Sequence, residues 1–520
     1  MKTASGSAPL SLAAALILAA AAAAQFPPTE SAVLAPALGE FAGQTVALHG
    51  DIAFVGAPGG QLVGTPRFVH AYRFDGARWV LEQTLAAPAF DEARFGFALD
   101  FDGTTLVVGS PALPAGGTGR ATVYTHDGAS WIGTDLSYPP TSDPNLAFGH
   151  AVSVDGDSIL VGAPLSQVFG VGENAGAVYS YRRQASGVWQ IKQQVLPSRS
   201  SPDQGFGLAL DISGAEALIG SSNGDQVHAF RFALPTQWSE VQLLTPSLAT
   251  PDSRFGQALS MSGGRAVIGA WQDHSLPEGG AAFVFELGCG QWLERQKLTA
   301  LAPNSVYGRT VGVDGDAVIV GATSEDLPGV ESAGAAYVYR WDGVSYGLEQ
   351  HLTASAPVAN QALGRSVVVS GDRALVGAPG ASSLVDGSAF VFDAVPVAGP
   401  WTDLGFALAG AAAPELRGTG TLQPSTPLEL GVDCGLPGAG GVLFAGVLEI
   451  HAPFKGGVLV PQPLLQVGLL LDGGGGRTLA TTWPANVPAG ASIVLQAWML
   501  DAGAPAGLSA TNALRATAMP

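Results

Sequence analysis

The side chains best suited to meet a ligand are carboxylates, an amide and an imidazole in loop-like segments: Glu173 and Asn174, Asp273, His274 and Glu278, Glu325, Asp326 and Glu331, and Asp386. Groups of this kind hydrogen-bond protein or sugar polar groups, and Glu325, Asp326 and Glu331 are near enough in sequence for a loop-bound cation to be conceivable. They could equally serve only to solvate the loops. No metal or cofactor site is assigned. Ready-made catalytic patterns are scarce. Gly343-Val344-Ser345-Tyr346-Gly347 fits the GxSxG elbow, but a nucleophile there needs a strand-to-helix turn and a nearby histidine, and the flanking sequence reads as a hairpin. The eight histidines include no HExxH and no pair at zinc-ligand spacing. His126 and His228 fall on strand patterns, where packing accounts for them. There is no phosphate-binding glycine loop, dinucleotide fingerprint or CxxC. The expectation is a protein that is not an enzyme.

A repeat positions these residues. The phrase FGHAVSVDGDSILVGAP, Phe148 to Pro164, recurs in seven versions anchored at Gly43, Gly96, Gly149, Gly207, Gly256, Gly308 and Gly364. A second glycine follows each anchor at the same offset: Gly56, Gly109, Gly162, Gly220, Gly269, Gly321 and Gly377. A fixed offset means a tight hairpin whose register cannot slip. In the third copy Val152 and Val154 alternate on one strand, Asp155-Gly156-Asp157 turns, and Ile159, Leu160 and Val161 form the next. A third strand carries aromatics such as Tyr179/Tyr181 and Phe283/Phe285, and an aromatic such as Trp189, Trp292 or Tyr346 opens a fourth. Four strands per unit of about 50 residues, repeated seven times, give an all-β fold with a seven-bladed β-propeller over residues 25–396. The seventh copy stops after its third strand, so a strand within Phe26–Pro36 is expected to complete it and close the ring.

Length varies most between the second glycine and the third strand, from 10 residues (Gly220 to Phe230) to 17 (Gly162 to Tyr179), against a constant 13 just upstream. Variation concentrated at one edge of a rigid repeat is what a binding face looks like, and every candidate residue named above falls in these loops. Carboxylates from distant blades could also converge on the propeller axis at glycosidase spacing.

The FG and GAP phrases resemble FG-GAP repeats, the units of the integrin α-subunit propeller and of many secreted bacterial propellers, over residues 26–396. The resemblance implies that the variable edge is the ligand-binding face. Many such repeats hold calcium on a DxDxDG loop; turns such as Asp155-Gly156-Asp157, Asp314-Gly315-Asp316 and Ser370-Gly371-Asp372 offer too few carboxylates, so calcium is not carried over. Ser201-Pro202-Asp203-Gln204-Gly205 partly matches the Asp-box of sialidase-like propellers, but it occurs once, lacks the closing aromatic and reads as a linker.

A Pro/Gly/Ala stretch, Val395–Pro400, leads to a tail, residues 397–520, whose apolar runs read as a β-sandwich. Its Trp401-Thr402-Asp403-Leu404-Gly405, Gln496-Ala497-Trp498 and Asn512-Ala513-Leu514 resemble a carboxy-terminal module of large secreted bacterial proteins. Residues 1–24, with Lys2 and an apolar run from Leu10 to Ala23, read as a secretory signal peptide cut after Ala24. Cys289 and Cys434 could pair across propeller and tail or remain unrelated thiols. A net charge of −19 with 23 Lys+Arg argues against nucleic acid as a partner. No later run is long and apolar enough for a membrane span. The expected protein is a secreted or cell-surface monomer whose loops bind an extracellular protein or polysaccharide. The alternatives are a structural component of the envelope or matrix, and a propeller hydrolase or lyase.

Overall fold

The computed structural model describes residues 29–36, 41–59, 67–86, 94–112, 119–137, 147–168, 170–221, 225–233, 237–274, 279–302, 305–380, 387–393 and 400–519. The expected signal peptide, most of the linker, Glu278 and Asp386 lie outside these residues.

Seven four-stranded antiparallel sheets follow one another: residues 45–86, 98–135, 152–195, 206–244, 258–299, 307–352 and 366–393. The seventh takes its fourth strand from the other end of the chain, Thr29–Leu34 pairing antiparallel with Ser388–Asp393. First strands of adjacent sheets pack on one another around an axis. The chain is a seven-bladed β-propeller with strands ordered from the axis outward. Its second strands are almost wholly buried, as in Thr105–Ser110 and Ser158–Ala163, while fourth strands such as Trp79–Ala86 are largely exposed.

The repeated glycines are explained by the contact between blades. Each anchor glycine has positive φ, from +81° at Gly308 to +91° at Gly207 and Gly256, a conformation a side chain resists. Its carbonyl oxygen lies against the second glycine of the preceding blade. A Cβ at Gly109, Gly162, Gly220, Gly269 or Gly321 would overlap the carbonyl of Gly149, Gly207, Gly256, Gly308 or Gly364, and one at Gly377 would overlap that of Gly43. The last pair closes the ring with the geometry of the others.

The Asp-Gly and Ser-Gly turns of the inner hairpins also join blades. Gly156 N donates to Asp102 Oδ2 (3.2 Å), Gly214 N to Asp155 Oδ2 (2.5 Å), Gly263 N to Ser213 Oγ (2.9 Å), Gly315 N to Ser262 Oγ (3.2 Å), Gly371 N to Asp314 Oδ2 (2.8 Å) and Gly50 N to Ser370 Oγ (3.4 Å). On the outer strands Gln83, Gln193, Gln242 and Gln296 each bind both backbone groups of the next blade's Trp131, Trp238, Trp292 or Tyr346. A side-chain hydrogen bond of this kind is worth about 1 kcal/mol net, so the ring rests on many small links.

The tail packs a six-stranded sheet against a three-stranded one, with Trp401, Leu416, Leu428, Leu443, Ile493 and Trp483 in the core between them. The residues that singled it out in sequence are its cross-links. Buried Gln496 Oε1 accepts from Val460 N (3.1 Å), its Nε2 donates to Thr511 O (3.3 Å), and Asn512 bonds both backbone groups of Leu416. Among the described residues, no helix is long and apolar enough to cross a membrane.

Candidate functional site

In an antiparallel blade the turns between strands one and two, and three and four, lie at one end; the loops between strands two and three and the links to the next blade lie at the other. The tail occupies the first end, here called the lower face. Cys289, in the outer hairpin of blade 5, is disulfide-bonded to Cys434, Cys289 N donates to Glu415 Oε1 (3.2 Å), and Arg417 Nη2 donates to Leu287 O (3.2 Å). At blade 6 Gly420 N donates to Gly343 O (3.1 Å). Gly343-Val344-Ser345 is thus a hairpin turn against the tail, with Asp342 Oδ1 accepting from Val344 N and Ser345 N, both at 2.8 Å. The upper face is left to the variable loops.

The structure divides the candidate residues on that face. Asp273 and Glu325, each four residues past a second glycine, point inward because a tight turn at that place aims the side chain at the blade: Asp273 N donates to Ala270 O (3.0 Å) and Glu325 N to Ala322 O (3.2 Å). Asp273 is 2% exposed and paired with Lys297 (2.5 Å). Glu325 is 3% exposed, accepts from Tyr337 Oη (2.7 Å) and pairs with His351 Nε2 (3.0 Å), whose ring stacks on Tyr337. Burial, and the hydrogen bond to Glu325, raise the Tyr337 pKa and keep the phenol a donor. Asp326 Oδ1 caps its loop by accepting from Ser332 N (2.7 Å). The grouping of Glu325, Asp326 and Glu331 as a cation site is therefore corrected: one is consumed inside the blade, and among the described residues no three metal-ligating side chains converge.

Glu173, His274, Asp326 and Glu331 are exposed. Glu173 and Glu331 hold equivalent places in blades 3 and 6, and their backbones are fixed to the link leading to the next blade: Asp203 N donates to Glu173 O and Asn360 N to Glu331 O, both at 3.0 Å. Asn174 Nδ2 reaches Asp203 Oδ1 (3.0 Å), so the Asp-box-like segment is part of this linker scaffold. Leu248, Leu301 and Val358, on the links after blades 4, 5 and 6, are also exposed. The histidines noted in sequence are structural: His228 is buried between Glu240 Oε1 (2.7 Å) and Gln204, and His126 packs on Trp131.

Carboxylates do meet on the axis. Asp100 and Asp211 line an axial cavity of about 190 Å³ with Leu210, Ser260 and Val311. Burial pushes Asp100 up to about 6; burial and the Asp100 charge push Asp211 up to about 7. Yet all four oxygens are engaged. Asp100 accepts from Phe101 N (2.9 Å) and Val154 N (2.7 Å); Asp211 accepts from Ile212 N (2.8 Å), Ser153 Oγ (2.8 Å) and Met261 N (2.7 Å). Val154 and Met261 belong to the following blades, so these acids join the ring like the hairpin turns below them.

The upper mouth of the axis was missed in sequence. It is formed by the residue after each anchor glycine, a position that changes inside a constant frame: Gln44, Phe97, His150, Leu208, Gln257, Arg309 and Arg365, all half-buried. His150 faces Leu208 O (3.1 Å), and burial with the Arg94 charge holds it down to about 4, neutral at physiological pH. The Arg309 guanidinium lies 4.9 Å from the Trp271 ring centre, and Trp271 Nε1 donates to Gln257 Oε1 (2.9 Å). The signal that could have exposed this ring was variation at a site the repeat holds rigid.

A family model for the FG-GAP repeat matches residues 143–181, 238–285, 292–339 and 346–392, and the chain carries FG-GAP repeats. No curated protein matches it. Among solved structures it is similar to a periplasmic gluconolactonase of Pseudomonas aeruginosa, at 15% identity and TM-score 0.42 over 60% of this chain and 86% of that one. It is likewise similar to a putative 6-phosphogluconolactonase of Bacteroides uniformis, at 13% identity and TM-score 0.42 over 61% and 87%. A protein from Lactobacillus plantarum gives 10% identity and TM-score 0.39 over 80% and 96%. At these identities nothing of those proteins' chemistry carries over.

Proposed function

We propose that this FG-GAP propeller is a secreted, non-enzymatic recognition protein whose upper face engages an extracellular protein or polysaccharide. The observation that carries the reading is the asymmetry of the faces. The tail is bolted to the lower face at blades 5 and 6, while the upper face carries the loops of variable length with exposed Glu173, His274, Asp326 and Glu331 beside exposed Leu248, Leu301 and Val358. Exposed apolar side chains rimmed by polar ones on a rigid support suit a binding surface. A disulfide between propeller and tail suits an oxidising compartment. The engagement of every Asp100 and Asp211 oxygen by the ring itself favours recognition over hydrolysis.

The test is an array of glycans and extracellular proteins probed with the full chain and with a variant reversing the exposed acids, Glu173→Lys, Asp326→Lys and Glu331→Lys. Saturable capture at micromolar affinity or tighter, weakened in the variant, supports the reading; capture indifferent to the three changes, or none, overturns it.

A further inference from the structure

Acids outnumber bases in this chain, 42 to 23, and many arginines pair with them. Arg73 pairs with Glu82, Arg265 with Glu286 and Asp316, Arg340 with Glu349, and Arg373 with Asp51 and Asp393. Arg309 and Arg365 are exceptions. Among the described residues neither guanidinium meets a carboxylate or donates a side-chain hydrogen bond. They occupy the same repeat position on adjacent blades, at the upper mouth of the axis, half-buried and near enough that the Arg309 charge acts on Arg365. Burial lowers the pKa of Arg309; burial and the Arg309 charge hold Arg365 down to about 10, so both are cations at neutral pH. Two like charges held together in partial burial cost free energy unless an anion joins them. Arg309 is also kept in place, its guanidinium over Trp271, which is itself fixed by Gln257. A preformed pair of guanidinium forks matches the geometry of an oxyanion, whose oxygens accept parallel N–H bonds.

We propose that Arg309 and Arg365 form an oxyanion-binding subsite at the upper mouth of the propeller axis, taking a carboxylate, sulfate or phosphate group of the ligand. The proposal rests on the upper face being the recognition surface and adds the chemistry that surface selects. In a protein of charge −19 a local cationic mouth also confines anions to one place.

The test is calorimetric titration of the full chain with D-galacturonate, inorganic sulfate and inorganic phosphate, each to about 50 mM. At least one should bind saturably, more weakly as salt rises, and at least about tenfold more weakly in Arg309→Gln and in Arg365→Gln. The anion bound tightest distinguishes a sugar carboxylate from a free inorganic ion. The doubly conservative Arg309→Lys/Arg365→Lys variant, which keeps charge and loses the forks, should retain part of the affinity, and unchanged melting temperatures would show the variants folded. Saturation by none of the three anions, or affinity unchanged in the folded glutamine variants, overturns the proposal. A partner captured on the array equally by the wild type and by an Arg309→Gln/Arg365→Gln variant, with no anion bound, sinks the oxyanion subsite and leaves the upper-face reading standing.

Discussion

Replacing Gly269 by alanine should damage the ring more than replacing Gly263 in the same hairpin, although only Gly263 has the backbone that ordinarily demands glycine. Gly263 sits at φ +56° with open space where a Cβ would go. Alanine there meets no neighbour and costs about 1 kcal/mol for the left-handed conformation. Gly269 is not left-handed, but its Cβ would overlap the Gly308 carbonyl oxygen and approach the Gly308 carbonyl carbon to 3.1 Å and Ala258 Cβ to 3.4 Å. The Gly308 atoms are backbone of the next blade, so relief requires the blades to part, and overpacking against rigid backbone costs about 3 kcal/mol or more. With an unfolding entropy of about 2 cal/mol/K per residue, a propeller of this size loses roughly 1.3 °C of melting temperature per kcal/mol, giving about 4 °C for Gly269→Ala and about 1 °C for Gly263→Ala. Thermal denaturation followed by circular dichroism measures both. Equal losses, or a larger loss at Gly263, would refute the claim that second glycines exist for contact between blades.

Asp100 and Asp211 bind protons more tightly folded than unfolded, since their ordinary value is 3.8 and they stand at about 6 and about 7. Their stabilising contribution is therefore complete below about pH 4 and lost as pH rises through 6 to 7. The melting temperature of wild type should fall more between pH 5 and pH 8 than that of Asp100→Asn, and parallel profiles would contradict this. Removing the Cys289–Cys434 bridge, which closes a loop of 145 residues, should cost about 5 kcal/mol by the chain-entropy relation. Denaturant melts of Cys289→Ser/Cys434→Ser against wild type read this directly, and coincident curves would show the tail's docking contacts suffice. Chelator should shift the melting temperature by less than about 1 °C, because the hairpin carboxylates hold backbone N–H groups in place of calcium. A larger fall would restore a cation to the ring.

The propeller was legible because its strands are written locally. Alternation such as Val152/Val154 and the fixed glycine offset lie within one hairpin, and strand count and order follow. What those glycines and turns do for the ring was not legible, because their partners lie about one repeat away: Gly162 against Gly207, Asp155 against Gly214. The sequence places the candidate residues in loops, but it does not show which way a side chain turns. Asp273 and Glu325 looked like the exposed Glu331, and the turn following the second glycine sends them inward to Lys297 and to Tyr337. The axial mouth is not legible in sequence because the residue beside each anchor glycine sits at constant spacing, which conceals a change of chemistry from Leu208 to Arg309 and Arg365. The cysteine pairing depended on how tail and blade 5 meet, which no local pattern encodes.

Hydrogen exchange of the full chain, free and saturated with a partner taken from the array, tests the recognition surface most directly. Exchange should slow in the upper loops around residues 170–174, 247–257, 323–332 and 353–362, with the outer hairpins at Cys289 and Gly343 unchanged. Protection confined to the tail or to the lower hairpins, with the upper loops exchanging as in the free protein, would contradict it.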